Sequence, residues 1–267
     1  MQKTILITGS TDGIGLETAK YLFSRGHEVL VHGRNPAKLE IAVQSLSQLS
    51  GGGLVESYVA DFSEMAEVVK LAQQVSEKHR KLDVLINNAG ILKAPVLTTK
   101  DGFDVRFAVN TFAPYLLTQR LLPVLAKSSR VINLSSAAQA PVDEDALVGQ
   151  SRLVDMEAYA QSKLALTMWS RVMALSLPEG PAIVAVNPGS MLGSKMVKEG
   201  FGVAGGDLRV GADILVRAAL DDEFQKASGQ YFDNDRDRFA SPHPDALDPE
   251  KSQRIVTVIE RQLTDIG

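Results

Sequence analysis

Tyr159 and Lys163 stand four positions apart in the run Tyr-Ala-Gln-Ser-Lys, and on a helix that spacing puts both side chains on one face. A phenol beside an ammonium can do acid–base chemistry. A free tyrosine has a pKa of about 10, and bringing it near 7 takes roughly 4 kcal/mol of preferential phenolate stabilisation, which a neighbouring cation favours. Alone, Tyr-x-x-x-Lys is more often an ordinary helix-surface pair, because short motifs recur by chance. Two other features change that weighing. Ser135-Ser136 closes an apolar run upstream, and Thr8-Gly9-Ser10-Thr11-Asp12-Gly13-Ile14-Gly15 follows the first apolar run of the chain. Glycines placed there let the backbone turn tightly against a pyrophosphate while the amides of the next helix point at the anion.

These groups need elements to hold them. The runs TILIT, EVLVHG, LVESYVA, LDVLINN, RVINLSS and PAIVAVN are short and rich in Val, Ile and Leu, with segments between them long enough for helices; that alternation predicts a parallel sheet. Helices are expected over Gly13 to Arg25, Pro36 to Leu49, Glu64 to Lys78, Phe103 to Ala126, Met156 to Leu177, Asp207 to Leu220 and Pro249 to Leu263, with Pro36 suited to a first turn. Gly51 to Gly53 reads as a surface turn. Two stretches break the rhythm: the acidic Ala140 to Asp155, and the Gly- and Ser-rich Gly189 to Gly206. Irregular segments just after strands are where α/β proteins bind ligands.

The spacing T-G-x-x-x-G-x-G resembles that of the short-chain dehydrogenase/reductase family, and further motifs follow in the same order along nearly the whole chain. Asn87-Asn88-Ala89-Gly90 ends the fourth apolar run, Asn110 lies in the helix after it, Ser135-Ser136 ends the fifth, Tyr159 to Lys163 comes next, and Asn187-Pro188-Gly189 ends the sixth. The resemblance implies a doubly wound Rossmann-type α/β fold of about seven strands, read as one domain over residues 1–267 with substrate loops near 140–155 and 190–206. It implies hydride transfer between a nicotinamide and an alcohol or carbonyl carbon. Tyr159 would then exchange the proton, Ser136 hold the substrate oxygen, Lys163 bond the nicotinamide ribose and favour the phenolate, and Asn110 shape its helix and anchor a proton-relay water.

For the cofactor, the turn residues Gly9, Ser10, Thr11, Asp12, Gly13, Ile14 and Gly15 are expected at the pyrophosphate. Asp61 and Phe62 would reach the adenine, Asn88, Ala89 and Gly90 the adenosine ribose, and Pro188 and Gly189 the nicotinamide. Asp61 would serve equally as a helix N-cap. The second run ends in His32-Gly33-Arg34-Asn35 with no carboxylate for a ribose hydroxyl. Arg34 can instead bind the 2′-phosphate of NADP, a charge-assisted contact worth about ten- to 150-fold in affinity, so NADP(H) is expected over NAD(H). NADP-using relatives often carry a basic residue in the glycine turn, where this chain carries Asp12.

Ser136 and Tyr159 lie 23 positions apart, a spacing similar to the retinol-dehydrogenase-like branch. The extra segment is expected to wall the substrate pocket with Leu147, Val148, Leu153 and Met156 above an acidic rim of Asp143, Glu144 and Asp145, and Met191 to Val203 to form a flap over the cofactor. A hydrophobic aldehyde, ketone or secondary alcohol would suit such a pocket. The rival readings are a sugar-nucleotide epimerase or dehydratase, which the glycine spacing opposes, and a catalytically silent NADP-binding sensor or scaffold.

Of 267 residues, 45% are hydrophobic and 22% charged, with a formal net charge of −4 and no cysteine. A sizeable core follows, nucleic acid is disfavoured, and thiolate chemistry and disulfides are excluded. The absence of a leader or long apolar run suggests a cytoplasmic protein without a membrane anchor. His27, His32, His79 and His243 lack metal-ligand spacing, and Asp233, Asp235 and Asp237 alternate with Arg236 and Arg238 in what reads as a solvated loop, so no metal site is expected. No Gly-x-Ser-x-Gly turn supports a hydrolase. Trp169 and the methionines read as packing residues. Relatives often pair as dimers or tetramers through the helices that follow Phe103 and Met156.

Overall fold

The structure, a computed structural model, describes residues 1–264. Three βα steps come first, β1 (Thr4–Ile7) with α1 (Gly13–Ser24), β2 (Glu28–Gly33) with α2 (Pro36–Ser47) and β3 (Leu54–Val59) with α3 (Met65–Lys78); β4 (Leu82–Asn87) then leads to a longer helical passage of α4 (Val105–Phe107), a π-helical turn (Ala108–Phe112) and α5 (Ala113–Leu121). Then follow β5 (Leu125–Leu134), α6 (Glu144–Leu147), α7 (Asp155–Ser176), β6 (Ala182–Asn187), α8 (Lys195–Phe201), α9 (Leu208–Leu220), α10 (Asp222–Gln225), β7 (Tyr231–Asp233), β8 (Arg238–Ala240) and α11 (Pro249–Leu263).

The strands form one sheet in the order β3-β2-β1-β4-β5-β6-β7-β8. Seven are parallel, and β8 is an antiparallel edge strand paired Tyr231 to Ala240. Because β1 has β2 on one side and β4 on the other, the loops leaving β1 and β4 diverge and open a crevice at the sheet's carboxyl edge. Central strands are buried on both sides, as their continuous Val, Ile and Leu runs require. One core packs α3, α5, α7 and α11 on one face of the sheet; a second packs α1, α2 and α9 on the other. Trp169 is fully buried and meets the Tyr115 ring edge-on at 5.5 Å. No helix among the described residues is long and apolar enough to cross a membrane.

Two sequence expectations need correction here. The helix expected over Phe103 to Ala126 is broken by the π-helical turn and ends at Leu121, with a tight 3₁₀ turn at Leu122–Val124 and strand β5 already under way at Leu125. Pro123 has no N–H to continue a helix. The segment 140–155 is likewise not a uniform loop: Asp143 caps the short α6 through Asp145 and Ala146 amides.

Candidate active site

At the carboxyl edge of β1 the glycine turn is fixed from three sides. Gly9 has φ +64°, and a Cβ on it would lie 2.8 Å from Ala89 Cα; only glycine takes both the left-handed backbone and the close approach without strain. A Cβ on Gly15 would meet Asn88 Nδ2 at 2.4 Å. Asn88 Nδ2 donates to the carbonyls of Thr8 (2.8 Å) and Gly9 (2.9 Å), while Thr8 Oγ1 accepts the Asn88 and Ala89 amides, each at 3.0 Å. The Asn-Asn-Ala-Gly motif therefore braces the phosphate turn as well as bordering the cavity.

His32 completes the brace. Its Nδ1 accepts the Gly9 N–H at 3.1 Å, so Nε2 carries the proton and donates to Ala60 O at 3.0 Å. Burial holds its pKa down at about 4, against weaker opposing effects of the Ala60 hydrogen bond and Asp61, so the ring is neutral and its tautomer fixed. It stacks on Phe62 at 4.4 Å. Asp61 accepts from the amide and hydroxyl of Ser63 in a tight turn, and the N-cap of α3 is Glu64 instead.

Beyond this brace Arg34 is exposed on the cavity lip, and Asn35 caps α2 through Lys38 N at 3.1 Å. Lys38 lines the same lip with its ammonium 3.8 Å from Asp12. Two cations thus stand where β2 ends. The second comes from the first turn of α2, not from the glycine turn, which is why the motif spacing did not reveal it.

At the other end of the cavity lie Ser136, Tyr159 and Lys163. The Lys163 ammonium sits 5.7 Å from the centre of the Tyr159 ring and donates to Leu134 O at 2.6 Å. Burial alone lowers its pKa to about 8, leaving it mostly cationic at neutral pH. Tyr159 is half-buried and lines the cavity; burial of its hydroxyl raises its pKa, opposed by a hydrogen bond with Ser136. The phenol is therefore a proton donor at neutral pH, and the adjacent ammonium favours the phenolate left behind. Ser136 is held by its own carbonyl, which accepts from Gln139 Nε2 (2.9 Å) and the Tyr231 hydroxyl (3.1 Å).

Asn110 is completely buried in the π-helical turn. Its amide pairs with both main-chain groups of Ile91, at 2.8 and 2.9 Å, and donates to Ser162 Oγ at 2.9 Å. A Cβ on Gly90 would lie 3.3 Å from Asn110 Oδ1 and 3.4 Å from Lys163 Nζ, so glycine leaves that corner open. Arg106, one turn earlier, is 1% exposed and pairs with Asp104 and Asp155, each at 2.6 Å. It ties the helix of Asn110 to the start of the helix that carries Tyr159.

The loop after β6 closes the far side. Gly189 has φ +121°, and Asp235 accepts from Ser190 N (2.8 Å), Ser190 Oγ (2.5 Å) and Asn187 Nδ2 (2.9 Å). Burial would raise the Asp235 pKa, but those hydrogen bonds outweigh it and hold the carboxyl below its ordinary value. Asp235 was read from sequence as part of a solvated loop; it is instead the anchor of the Pro188-Gly189 segment, a contact 45 residues distant in sequence. From there α8 reaches back over the glycine turn: a Cβ on Gly13 would lie 4.0 Å from Ser194 Cβ, and Lys93 Nζ donates to Glu199 O at 3.3 Å.

One cavity of about 610 Å³ joins these parts, within the range of cofactor sites. Gly9, Thr11, Asp12, Gly13, Ile14, Gly15, Arg34, Asn35, Asp61, Phe62, Asn88, Ala89, Gly90, Ser136, Tyr159, Lys163, Pro188 and Gly189 all line it. Ser10 and Asn110 do not. Ser10 Oγ turns inward to donate to Ile7 O and accept from His32 N, both at 2.9 Å, and Asn110 acts from beneath the surface. Nor do Leu147, Val148 and Leu153 form the expected apolar wall: Leu147 is wholly buried in the core and the other two pack against it, drawn there by their apolar side chains. Of that set only Met156 reaches the cavity, joined by Met191 and Met196 from the segment expected to form a flap.

The cavity suits a nicotinamide dinucleotide. A glycine turn meets its middle and two cations one end, while at the other the buried Lys163 head spends one of three N–H groups on Leu134 O. Fold and cavity together define an α/β dinucleotide-dependent oxidoreductase with a tyrosine at the chemical end. The family model for short chain dehydrogenases matches residues 3–202, and the chain belongs to that family. It is 31% identical over 275 residues to "Retinol dehydrogenase 13" of Mus musculus, covering 96% of this chain and 82% of that one. A putative uncharacterized protein from Mycobacterium paratuberculosis superposes with a TM-score of 0.82 at 28% identity, over 98% and 94% of the two chains. A short chain dehydrogenase from Burkholderia cenocepacia in complex with NADP gives a TM-score of 0.70 at 25% identity, over 86% and 95%. This chain is accordingly a nicotinamide-dependent dehydrogenase/reductase of alcohol and carbonyl groups.

Proposed function

We propose that the protein is an NADP-preferring oxidoreductase, working as one catalytic domain on a hydrophobic aldehyde, ketone or secondary alcohol. The observation that carries this reading is the single cavity that has Arg34 and Lys38 at one end and the Ser136-Tyr159-Lys163 group at the other. When bound, the nicotinamide supplies or accepts the hydride. Tyr159 Oη gives a proton to the substrate oxygen in reduction and takes it back in oxidation. Ser136 Oγ holds that oxygen in place, as a donor aimed where negative charge grows. Lys163 stabilises the phenolate and bonds the cofactor ribose, and Asn110 sets the helix turn beside them.

Preference for NADP(H) rests on charge. Arg34 and Lys38 favour a 2′-phosphate, and no carboxylate follows β2 to receive a 2′-hydroxyl. Substrate class rests on the apolar side chains Met156, Met191, Met196, Leu92 and Phe201 around the chemical end and flap. The test is NADPH oxidation by the purified chain across long-chain and aromatic aldehydes and ketones, with NADH alongside. Turnover with apolar carbonyls that favours NADPH supports the reading; equal use of NADH, or turnover confined to small polar carbonyls, would overturn it.

A further inference from the structure

A second cavity of about 540 Å³ lies where β7, β8 and α7 meet, outside the dinucleotide site. Its charged lining is of one sign. Arg171, Arg236 and Arg238 all border it and no carboxylate does, in a chain whose net charge is −4. Among the described residues only Arg236 of the three arginines has a carboxylate partner, Asp233 at 3.5 Å, so positive charge at the hollow is left for an anion to balance.

Their hydrogen-bonding capacity is largely unspent. Arg171 donates one N–H to Gly229 O at 3.1 Å, and Arg236 lies 3.5 Å from Asp233. The Arg238 side chain makes no hydrogen bond or ion pair among the described residues. Each guanidinium carries five N–H donors in a planar fork that matches two oxygens of a phosphate. Thr167, Ser170 and Ser241 add hydroxyls, and Phe239, Pro242 and Leu247 supply an apolar side.

We infer that this cavity is a second ligand site, for a small phosphorylated molecule whose phosphate is held by Arg171, Arg236 and Arg238 and whose organic body lies against Phe239 and Leu247. The site adjoins the chemistry without sharing its space. Tyr231, one of its walls, donates to the carbonyl of Ser136, and Thr167, another, exchanges a hydrogen bond of 2.7 Å with Ser135 and donates to Lys163 O. A ligand seated there would lie against the supports of the residues at the active end. The inference stands on this cavity's own charge and shape, and holds whichever nicotinamide or carbonyl the first site prefers.

Calorimetric titration of the NADPH-saturated protein with phenyl phosphate, inorganic phosphate and phenol tests it, since saturation removes the dinucleotide cavity as a competing site. Phenyl phosphate is expected to bind and phenol not. Arg238→Ala, an exposed position whose loss leaves the fold intact, should weaken that binding by about ten-fold or more, as loss of a charge-assisted contact implies. Arg171→Gln should do the same, and Arg34→Ala should leave it unchanged. Equal affinity for phenyl phosphate and inorganic phosphate would keep the site and assign it to free phosphate. Absence of binding in the unsubstituted protein, or binding indifferent to both Arg238→Ala and Arg171→Gln, would overturn the proposal.

Discussion

The two walls of the dinucleotide cavity are built on opposite plans. On the sheet side, Gly9, Gly15, Asn88, Thr8 and His32 interlock through main-chain and buried side-chain hydrogen bonds, leaving no slack for a Cβ at either glycine. On the opposite side, residues 190–206 are held by Asp235 at Ser190 and by Lys93 Nζ at Glu199 O, with the Gly193 N to Gly206 O and Gly206 N to Met191 O bonds closing the loop on itself, and they leave Met191, Phe201 and Val203 each more than two-fifths exposed. The contrast separates two tasks. A preformed wall costs no ordering when a pyrophosphate arrives, whereas a lightly tethered one can move to admit substrate and then exclude water.

Breaking the rigid wall should have the largest effect on cofactor binding. Gly15→Ala pushes a methyl against Asn88 Nδ2 and the Gly9 carbonyl; overpacking of this kind costs about 1–3 kcal/mol, so the affinity for NADPH and NADH alike should fall by about five- to 150-fold in a fluorescence titration. Arg34→Ala comes next. It should weaken NADPH by about ten- to 150-fold and leave NADH almost unchanged, which separates phosphate recognition from the shape of the turn.

Lys163 gives a pH signature of the buried chemical end. Its folded pKa of about 8 lies below the unfolded value of about 10.5, so between those limits the unfolded chain binds more protons and stability rises with pH. The cost of burying the ammonium is felt in full below about 8. The Tyr159 phenol has its pKa raised by burial, so it subtracts stability only once the unfolded phenol ionises, near about 10. Urea unfolding at about pH 7.5 and 9.5 should therefore show a gain of roughly 1–2 kcal/mol that vanishes in Lys163→Met. A pH-independent difference between the two proteins would contradict a buried, neutralisable lysine.

The smallest effect should come from the tethered wall. Asp235→Ala frees Ser190, leaving Asn187 held by Asp233, and should cost about 1 kcal/mol at the loop, raising KM for both cofactor and carbonyl a few-fold while thermal unfolding shifts little. A large drop in stability would show that Asp235 supports the fold instead of the flap.

The rigid wall was legible in the sequence because its parts are local. The glycine turn, Asn88-Ala89-Gly90 and the Ser-Ser strand end each sit within a few residues of an apolar strand run, the Tyr-x-x-x-Lys pair is local to one helix, and the alternation of runs specified the parallel order. What could not be read was long-range or short. Strands β7 and β8 have three residues each, too few for periodicity to register. The roles of Asp235, Arg106 and Tyr231 depend on partners 45, 49 and 95 positions away. Leu147, Val148 and Leu153 were assigned to a pocket wall because their segment is irregular, yet their apolar side chains found the core instead. The π-helical turn at Asn110 is likewise set by pairing with Ile91, not by helix propensity.

Tyr159 moves the proton on this reading, while the rest of the cavity binds. Tyr159→Phe keeps the ring and loses only the hydroxyl, so NADPH affinity and turnover should be measured together in that variant with whichever apolar carbonyl the unsubstituted protein reduces. NADPH affinity should be unchanged and kcat lower by about 10²- to 10⁴-fold, the usual worth of a positioned general acid; turnover preserved within a few-fold would rule out Tyr159 as the proton donor.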